Sequence, residues 1–118
     1  AFQADLRQWV SRLADAPASL SLPLDRPRPS MQSFAGRELK FSFPAALSER
    51  VRELARTSRK SVYVTLLTAF KCLLARYSGQ ADIVIGSPFS NRTVGDLEGV
   101  MGCCMNTLPL YSKLGAAR

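Results

Sequence analysis

The side chains best suited to chemistry lie in one segment, residues 82–110, with the sequence DIVIGSPFSNRTVGDLEGVMGCCMNTLPL. The chain has no histidine, so neither a Ser-His-Asp nor a Cys-His catalytic arrangement can form within it. The glycines of the segment do not have the spacing of a dinucleotide-binding or P-loop motif. What remains is a set of small polar groups in an unusually glycine-rich stretch.

Three polar pairs in this segment are candidate functional groups. Asp96 and Glu98 would need to converge on a pocket to act as an acid–base pair, and acidic residues are more typical of a first helical turn. The amide and guanidinium groups of the pair Asn91-Arg92 could hold a substrate or donate to loop carbonyls, and the sequence favours the second role. The pair Asn106-Thr107 could equally line a cavity or hydrogen-bond a turn.

The net charge and the cysteine content exclude few classes of function. The net charge is +7, but the basic residues are spread along the chain without interleaved aromatic residues, so nucleic-acid binding is the least favoured role, behind a solvated surface or an acidic protein partner. Cys72, Cys103 and Cys104 form no metal-binding pattern, and adjacent cysteines rarely form a disulfide. We therefore predict free thiols and no metal.

The elements that must position these groups follow from the hydrophobic pattern. With 118 residues, no apolar run of about 20 residues and no signal-peptide pattern at the start, the sequence predicts one cytoplasmic domain. Apolar residues recur at helical spacing in three segments and at strand spacing in three others. We predict helices over 2–14, 45–59 and 62–78, and strands over 37–43, 82–85 and 105–111.

Three details refine this order of elements. The segment 17–36 contains four of the seven prolines, so it is predicted to be an extended linker anchored by Leu20, Leu22 and Leu24. The helix over 62–78 is apolar around more than half its girth, which predicts a central, buried position, with Gly79 as its C-terminal cap. The fold class is therefore α/β, as an α+β two-layer structure in the order α-linker-β-α-α-β-loop-β.

Several stretches together resemble a known family. The sequence LPLDRPRP precedes the predicted strand and two helices, which end in LLARYSGQADIVIGSPFSNR, and LEGVMGCCMNTLPL follows. In this order they resemble the condensation domain of non-ribosomal peptide synthetases, over residues 8–111. The motifs RYSGQADIVIGSPFSNR and MGCCMNTLPL are the specific part of the resemblance.

The resemblance implies a fold similar to chloramphenicol acetyltransferase, in which two halves form a V around a channel. Phosphopantetheine arms of two carrier domains enter this channel, and an acceptor amine attacks a donor thioester to form an amide. Residues 1–29 would end the first half and cross over, and residues 30–118 would begin the second half. Acidic carrier domains would then be the partners of the basic surface.

The same resemblance assigns residue roles. The IGSPFSNR and GCCMNT stretches would be walls of the channel, where glycines permit close approach of the backbone to a thin acyl-pantetheine arm. Asn106, Thr107, Gly102 and Gly86 are the substrate-channel candidates, and Asn91 and Arg92 are predicted to brace the loop.

The chain also departs from the family pattern. The His-His-x-x-x-Asp-Gly motif associated with the family's chemistry is absent, so we expect a middle fragment that is inactive alone and contains no catalytic residue. Tyr111 stands where the family usually has an arginine, and Cys103-Cys104 replace a common Phe-Val pair. A catalytically silent docking or scaffold module is the alternative, and an epimerising or cyclising relative stays open. Uncovered apolar surface should lead to self-association or require the missing segments.

Overall fold

A computed structural model describes residues 2–90, Gly95 and residues 99–115. Its elements, in chain order, are α1 (Phe2–Leu13), α2 (Ala45–Thr57), α3 (Val62–Ser78), β1 (Asp82–Ser90) and β2 (Met105–Lys113). The strands form a two-stranded antiparallel sheet. The predicted α+β class is confirmed, and β1 extends five residues beyond the predicted strand end at residue 85. No helix among the described residues has both the length and the apolar content needed to cross a membrane.

α2 follows Pro44, whose fixed φ suits a helix start and whose carbonyl accepts the amide of Ser48 at 3.0 Å. Two ion pairs lie on its exposed side, each between residues three positions apart. Arg52 contacts Glu49 at 2.7 Å, and Arg56 forms a bidentate pair with Glu53. Such exposed pairs stabilise the helix only slightly because solvent screens them.

α2 ends in a Schellman motif. The amide of Lys60 donates to the Ala55 carbonyl at 2.9 Å, and the amide of Arg59 donates to the Arg56 carbonyl at 3.1 Å. Arg59 has a φ of 52°, the left-handed conformation that glycine usually provides at this position. The helix therefore stops at Thr57 because an arginine accepts a strained backbone conformation.

α3 is capped at both ends. The Ser61 hydroxyl accepts the amide of Val64 at 3.2 Å, which satisfies one donor that the first turn leaves open. Gly79 follows the helix with a φ of 69°, as predicted for its C-terminal cap. The observed bounds of α3 match the predicted 62–78.

The prediction of a central, buried α3 is wrong for this chain. Phe70 and Leu73 are each about half exposed, whereas the charged residue Lys71 is only 7% exposed. Burial lowers the pKa of the Lys71 ammonium group. Several large apolar side chains of α3 are exposed within the described part of the chain. The predicted uncovered apolar surface is thus present.

The predicted strand over 37–43 does not form. Its residues are exposed, including Leu39, and no described strand pairs with them. The local pattern is still extended, since the rings of Phe41 and Phe43 lie on one side with centroids 5.6 Å apart. A strand needs a hydrogen-bonded neighbour, and none of the described strands provides one for residues 37–43.

The chain divides into two compact units, described here separately. One unit contains Ala1–Ser21 and Ser78–Arg118, and thus α1 and the sheet; the other contains Leu22–Tyr77, with α2 and nearly all of α3. Within the predicted linker, Leu20 and Leu22 are half-buried while Leu24 is exposed. The boundary predicted at residue 29, between two halves of a longer domain, stays a prediction.

Candidate functional site

The candidate site is built on the β1–β2 ladder. In its register Gly86 lies opposite Pro109, and Thr107 lies opposite Pro88. Beyond the strand ends, the amide of Leu114 donates to the Ala81 carbonyl at 2.8 Å. Since hydrogen-bonded and non-hydrogen-bonded pairs alternate in an antiparallel ladder, this bond fixes which pairs are which.

The two prolines occupy non-hydrogen-bonded pairs of this ladder. Counting from the bonded pair of Ala81 and Leu114, the pairs containing Pro88 and Pro109 both fall in the non-hydrogen-bonded class. Their nitrogens face the outer edges of the sheet, so neither strand loses a bond to the other. This explains how a strand that contains Pro109 pairs over its full length.

Strand alternation separates the two main substrate candidates. Asn106 and Thr107 are adjacent in β2, so their side chains lie on opposite faces of the sheet. The Thr107 face also carries Gly86, whereas the Asn106 face carries the buried residues Ile83 and Ser87. A single ligand on one face of the ladder cannot contact both candidates in the same way.

Asn106 lies near the start of β2, opposite Phe89 and exposed. None of the described residues hydrogen-bonds its side-chain amide. The alternation of the ladder places the pair of Asn106 and Phe89 in the hydrogen-bonded class, so the backbone beneath the side chain is held. The side chain thus presents two donors and one acceptor from a fixed strand position.

Gly86 and Thr107 are in close contact. A Cβ atom added to Gly86 would lie 2.9 Å from the Cγ2 atom of Thr107, well inside the roughly 3.5–4.0 Å of ordinary carbon contacts. The space that the Gly86 side chain would occupy is therefore already taken by the Thr107 methyl group.

Gly102 precedes β2 with a φ of 151°, a conformation that strains any residue with a side chain. It thus sets the entry of the chain into β2, three residues before Met105. The other candidates of this region, Asn91, Arg92, Asp96 and Glu98, lie outside the described residues.

A polar cluster near the opposite end of the ladder was not predicted. The Tyr111 hydroxyl donates to Asp82 Oδ1 at 2.7 Å, and Lys113 Nζ lies 6.0 Å from the Tyr111 ring centroid and 3.6 Å from Asp15 Oδ2. Partial burial, followed by the hydrogen bond to Asp82, raises the pKa of Tyr111. Tyr111, followed by Asp15, raises the pKa of Lys113. Only the register, which places residue 82 diagonally across from residue 111, could have revealed this cluster from sequence.

A second unpredicted contact joins the side chain of Gln80 to the backbone of the segment that follows α1. Gln80 Oε1 accepts the amide of Ser21 at 2.7 Å, and Gln80 Nε2 donates to the Ser19 carbonyl at 3.4 Å. The side-chain amide thereby replaces a neighbouring strand for this stretch of backbone. A glutamine between a helix cap and a strand gives no sequence signal for such a role.

The thiols show no site of their own. Cys72 and Cys103 are exposed and Cys104 is half-buried, all three unpaired with one another. Within the described part of the chain, no group of three or more cysteine or acidic side chains is arranged to hold a metal ion.

Comparison with known proteins gives consistent matches along the chain. The family model described as "Condensation domain" matches residues 1–118. The chain is 37% identical over 118 residues to tyrocidine synthase 3 of Brevibacillus parabrevis, covering 100% of this chain and 2% of that protein. It is 40% identical over 109 residues to the phosphinothricin tripeptide synthetase of Streptomyces viridochromogenes, covering 92% of this chain and 10% of that protein.

A solved structure is also similar. It is the crystal structure of a holo four-domain nonribosomal peptide synthetase bound to AMP and glycine. The TM-score is 0.89 at 29% sequence identity, over 96% of this chain and 9% of that one. The chain thus spans only a small part of the proteins that it matches.

Proposed function

Because this chain belongs to the condensation-domain family of non-ribosomal peptide synthetases, we propose that it forms part of a domain that joins two carrier-bound thioesters through an amide bond. The amine of the acceptor aminoacyl group attacks the donor thioester carbonyl, the carbon–sulfur bond breaks, and the donor carrier leaves as a free thiol. The protein that contains this chain works, on this proposal, in the cytoplasm as part of a synthetase.

The role of this chain in the reaction is to supply channel wall, not proton transfer. It contains no histidine, and none of the described ladder residues on the same sheet face as Asn106 carries a carboxylate that could serve as a base. Phosphopantetheine arms of carrier domains would bring in both substrates, and the chain would bind no cofactor of its own.

The observation that best supports this role is that no described residue hydrogen-bonds the side-chain amide of Asn106, which lies at a fixed strand position. An acyl-pantetheine arm carries amide groups, and a primary amide side chain can donate to one and accept from another. Gly102 contributes by fixing the entry into β2 just before Asn106. Asn91 and Arg92 would brace the adjoining loop.

The experiment compares three forms of the intact condensation domain, supplied with a donor and an acceptor carrier loaded with aminoacyl groups. These are the native domain, Asn106→Leu and, as a matched control, Asn106→Gln. Asn106→Leu should reduce amide formation by about tenfold or more, since it removes the hydrogen bonds while keeping a similar volume. Asn106→Gln should recover part of the rate because it retains the amide group.

The unfolding transition of each variant distinguishes a structural role of Asn106 from a role at the substrate. Both variants should show the unfolding transition of the native domain. If Asn106→Leu loses its fold, Asn106 is structural, and if it condenses at the native rate, the residue does not face the substrate. A native domain that binds loaded carriers but forms no amide would favour the catalytically silent scaffold.

A further inference from the structure

We propose that Gly86 and Thr107 form a packing seat, in which the bare Cα of Gly86 receives the Thr107 methyl group and so holds β2 where Asn106 must lie. The two residues are positioning residues for Asn106, in place of the substrate-side roles that the sequence predicted for them. The effect on catalysis rests on the proposed function, but the seat itself does not.

The contact with Thr107 explains why residue 86 is a glycine, and it does so without requiring a bound substrate. An added Cβ at residue 86 would lie 2.9 Å from Thr107 Cγ2, which is closer than real Cβ atoms come. A glycine in a channel wall would instead be explained by open space kept for a ligand. Here the space above Gly86 is filled from within the chain.

The ladder explains why the approach is so close. Gly86 and Thr107 belong to neighbouring non-hydrogen-bonded pairs, in which the strands come nearest and side chains on one face touch diagonally. Their direct partners, Pro109 and Pro88, are rigid and lie on the same face. The seat is thus flanked by two residues whose backbones adapt poorly to displacement.

The seat can act on Asn106 through one peptide unit. A side chain at residue 86 must push the Thr107 methyl away from β1, and Asn106 is joined directly to Thr107. Since misplacing a binding group by about 1 Å can cost up to 10²-fold in rate, a small shift of β2 is enough to affect catalysis.

A double-mutant cycle in the intact condensation domain tests the seat. The forms are native, Gly86→Ala, Thr107→Ser and the double variant; serine keeps the hydroxyl group and removes the methyl group. Gly86→Ala should lower kcat for amide formation about tenfold when residue 107 is threonine and less than twofold when it is serine. The KM for the carriers should not change, and the rates are measured well below the unfolding temperature.

The outcomes are distinct. An equal loss from Gly86→Ala in both backgrounds overturns the seat, because a methyl group intruding into a channel would act whichever residue stands at 107. No loss in either background overturns it as well. If the native domain forms no amide, the proposed function fails, and the same cycle on the unfolding temperature decides the seat. If Gly86→Ala does not fold, recovery of folding by Thr107→Ser supports the seat, and failure to recover contradicts it.

Discussion

Replacing Arg59 by glycine should relieve the strained backbone conformation at the C-terminal end of α2. Arg59 is held at a φ of 52° by two hydrogen bonds of the Schellman motif. A residue with a Cβ atom loses about 1–2 kcal/mol in this conformation, whereas glycine loses almost none. Glycine also makes the unfolded chain more flexible, and the entropy lost on folding offsets about 0.5–1 kcal/mol of that gain.

Arg59→Ala is the matched control, because alanine keeps the Cβ atom and, like glycine, removes the positive charge near the helix C-terminus. Comparing the two variants cancels the charge contribution, which is about 0.3–1 kcal/mol. The expected difference in the free energy of unfolding is about 0.5–1 kcal/mol in favour of glycine. Against the native chain, Arg59→Gly should be neutral to stabilising.

The assay is denaturant unfolding of both variants, together with hydrogen exchange of the Lys60 amide, which donates one of the two bonds. Exchange at Lys60 should be slower in Arg59→Gly than in Arg59→Ala. If the alanine variant is as stable as the glycine variant, Arg59 is not in a strained conformation and the described helix end is wrong.

Three further predictions concern a cap, a titration and a partner. Ser61→Ala should destabilise α3 by about 1 kcal/mol in thermal or denaturant unfolding. Ser61→Gly should destabilise it by only a few tenths of a kcal/mol, because glycine tolerates the cap conformation. Equal losses of stability in the two variants would contradict the cap. The pKa of Tyr111 is raised in the folded chain, so its hydrogen bond to Asp82 contributes fully below the unfolded pKa of about 10 and is lost as pH rises through the folded value. Ultraviolet absorbance should therefore show a late-titrating component that Tyr111→Phe removes, and a late component that Tyr111→Phe leaves unchanged would refute this. Binding of an acidic carrier domain to the parent domain should weaken when salt rises from about 0.1 M to 1 M, since the Debye length falls from about 10 Å to 3 Å; salt-independent affinity would argue against electrostatic docking.

Helices were predictable from the sequence because their signals are local. The bounds of α3 and its glycine cap follow from periodicity and one residue type, and the two glutamate–arginine pairs of α2 follow from spacing. The Schellman end at Arg59 was not predictable, since an arginine gives no signal for a left-handed conformation. The strand over 37–43 failed for a related reason: alternation shows an extended chain but not whether a partner strand exists.

The candidate site was predictable in composition but not in arrangement. The motifs around Gly86 and Asn106 select the two segments that pair as β1 and β2, but only the register shows that Asn106 and Thr107 face opposite ways. The contact of Gly86 with Thr107 and the bond between Tyr111 and Asp82 both join residues about 20 to 30 positions apart. Such pairs depend on the pairing of the strands, which a pattern within either strand does not specify.

The most direct test of the channel-wall role is a crystal structure of the intact condensation domain with a non-hydrolysable aminoacyl-pantetheine bound. The account predicts that the arm passes the β2 face that carries Asn106, with an amide of the arm within about 3.2 Å of its side chain. An arm that passes elsewhere, with Asn106 enclosed among apolar side chains, would contradict it.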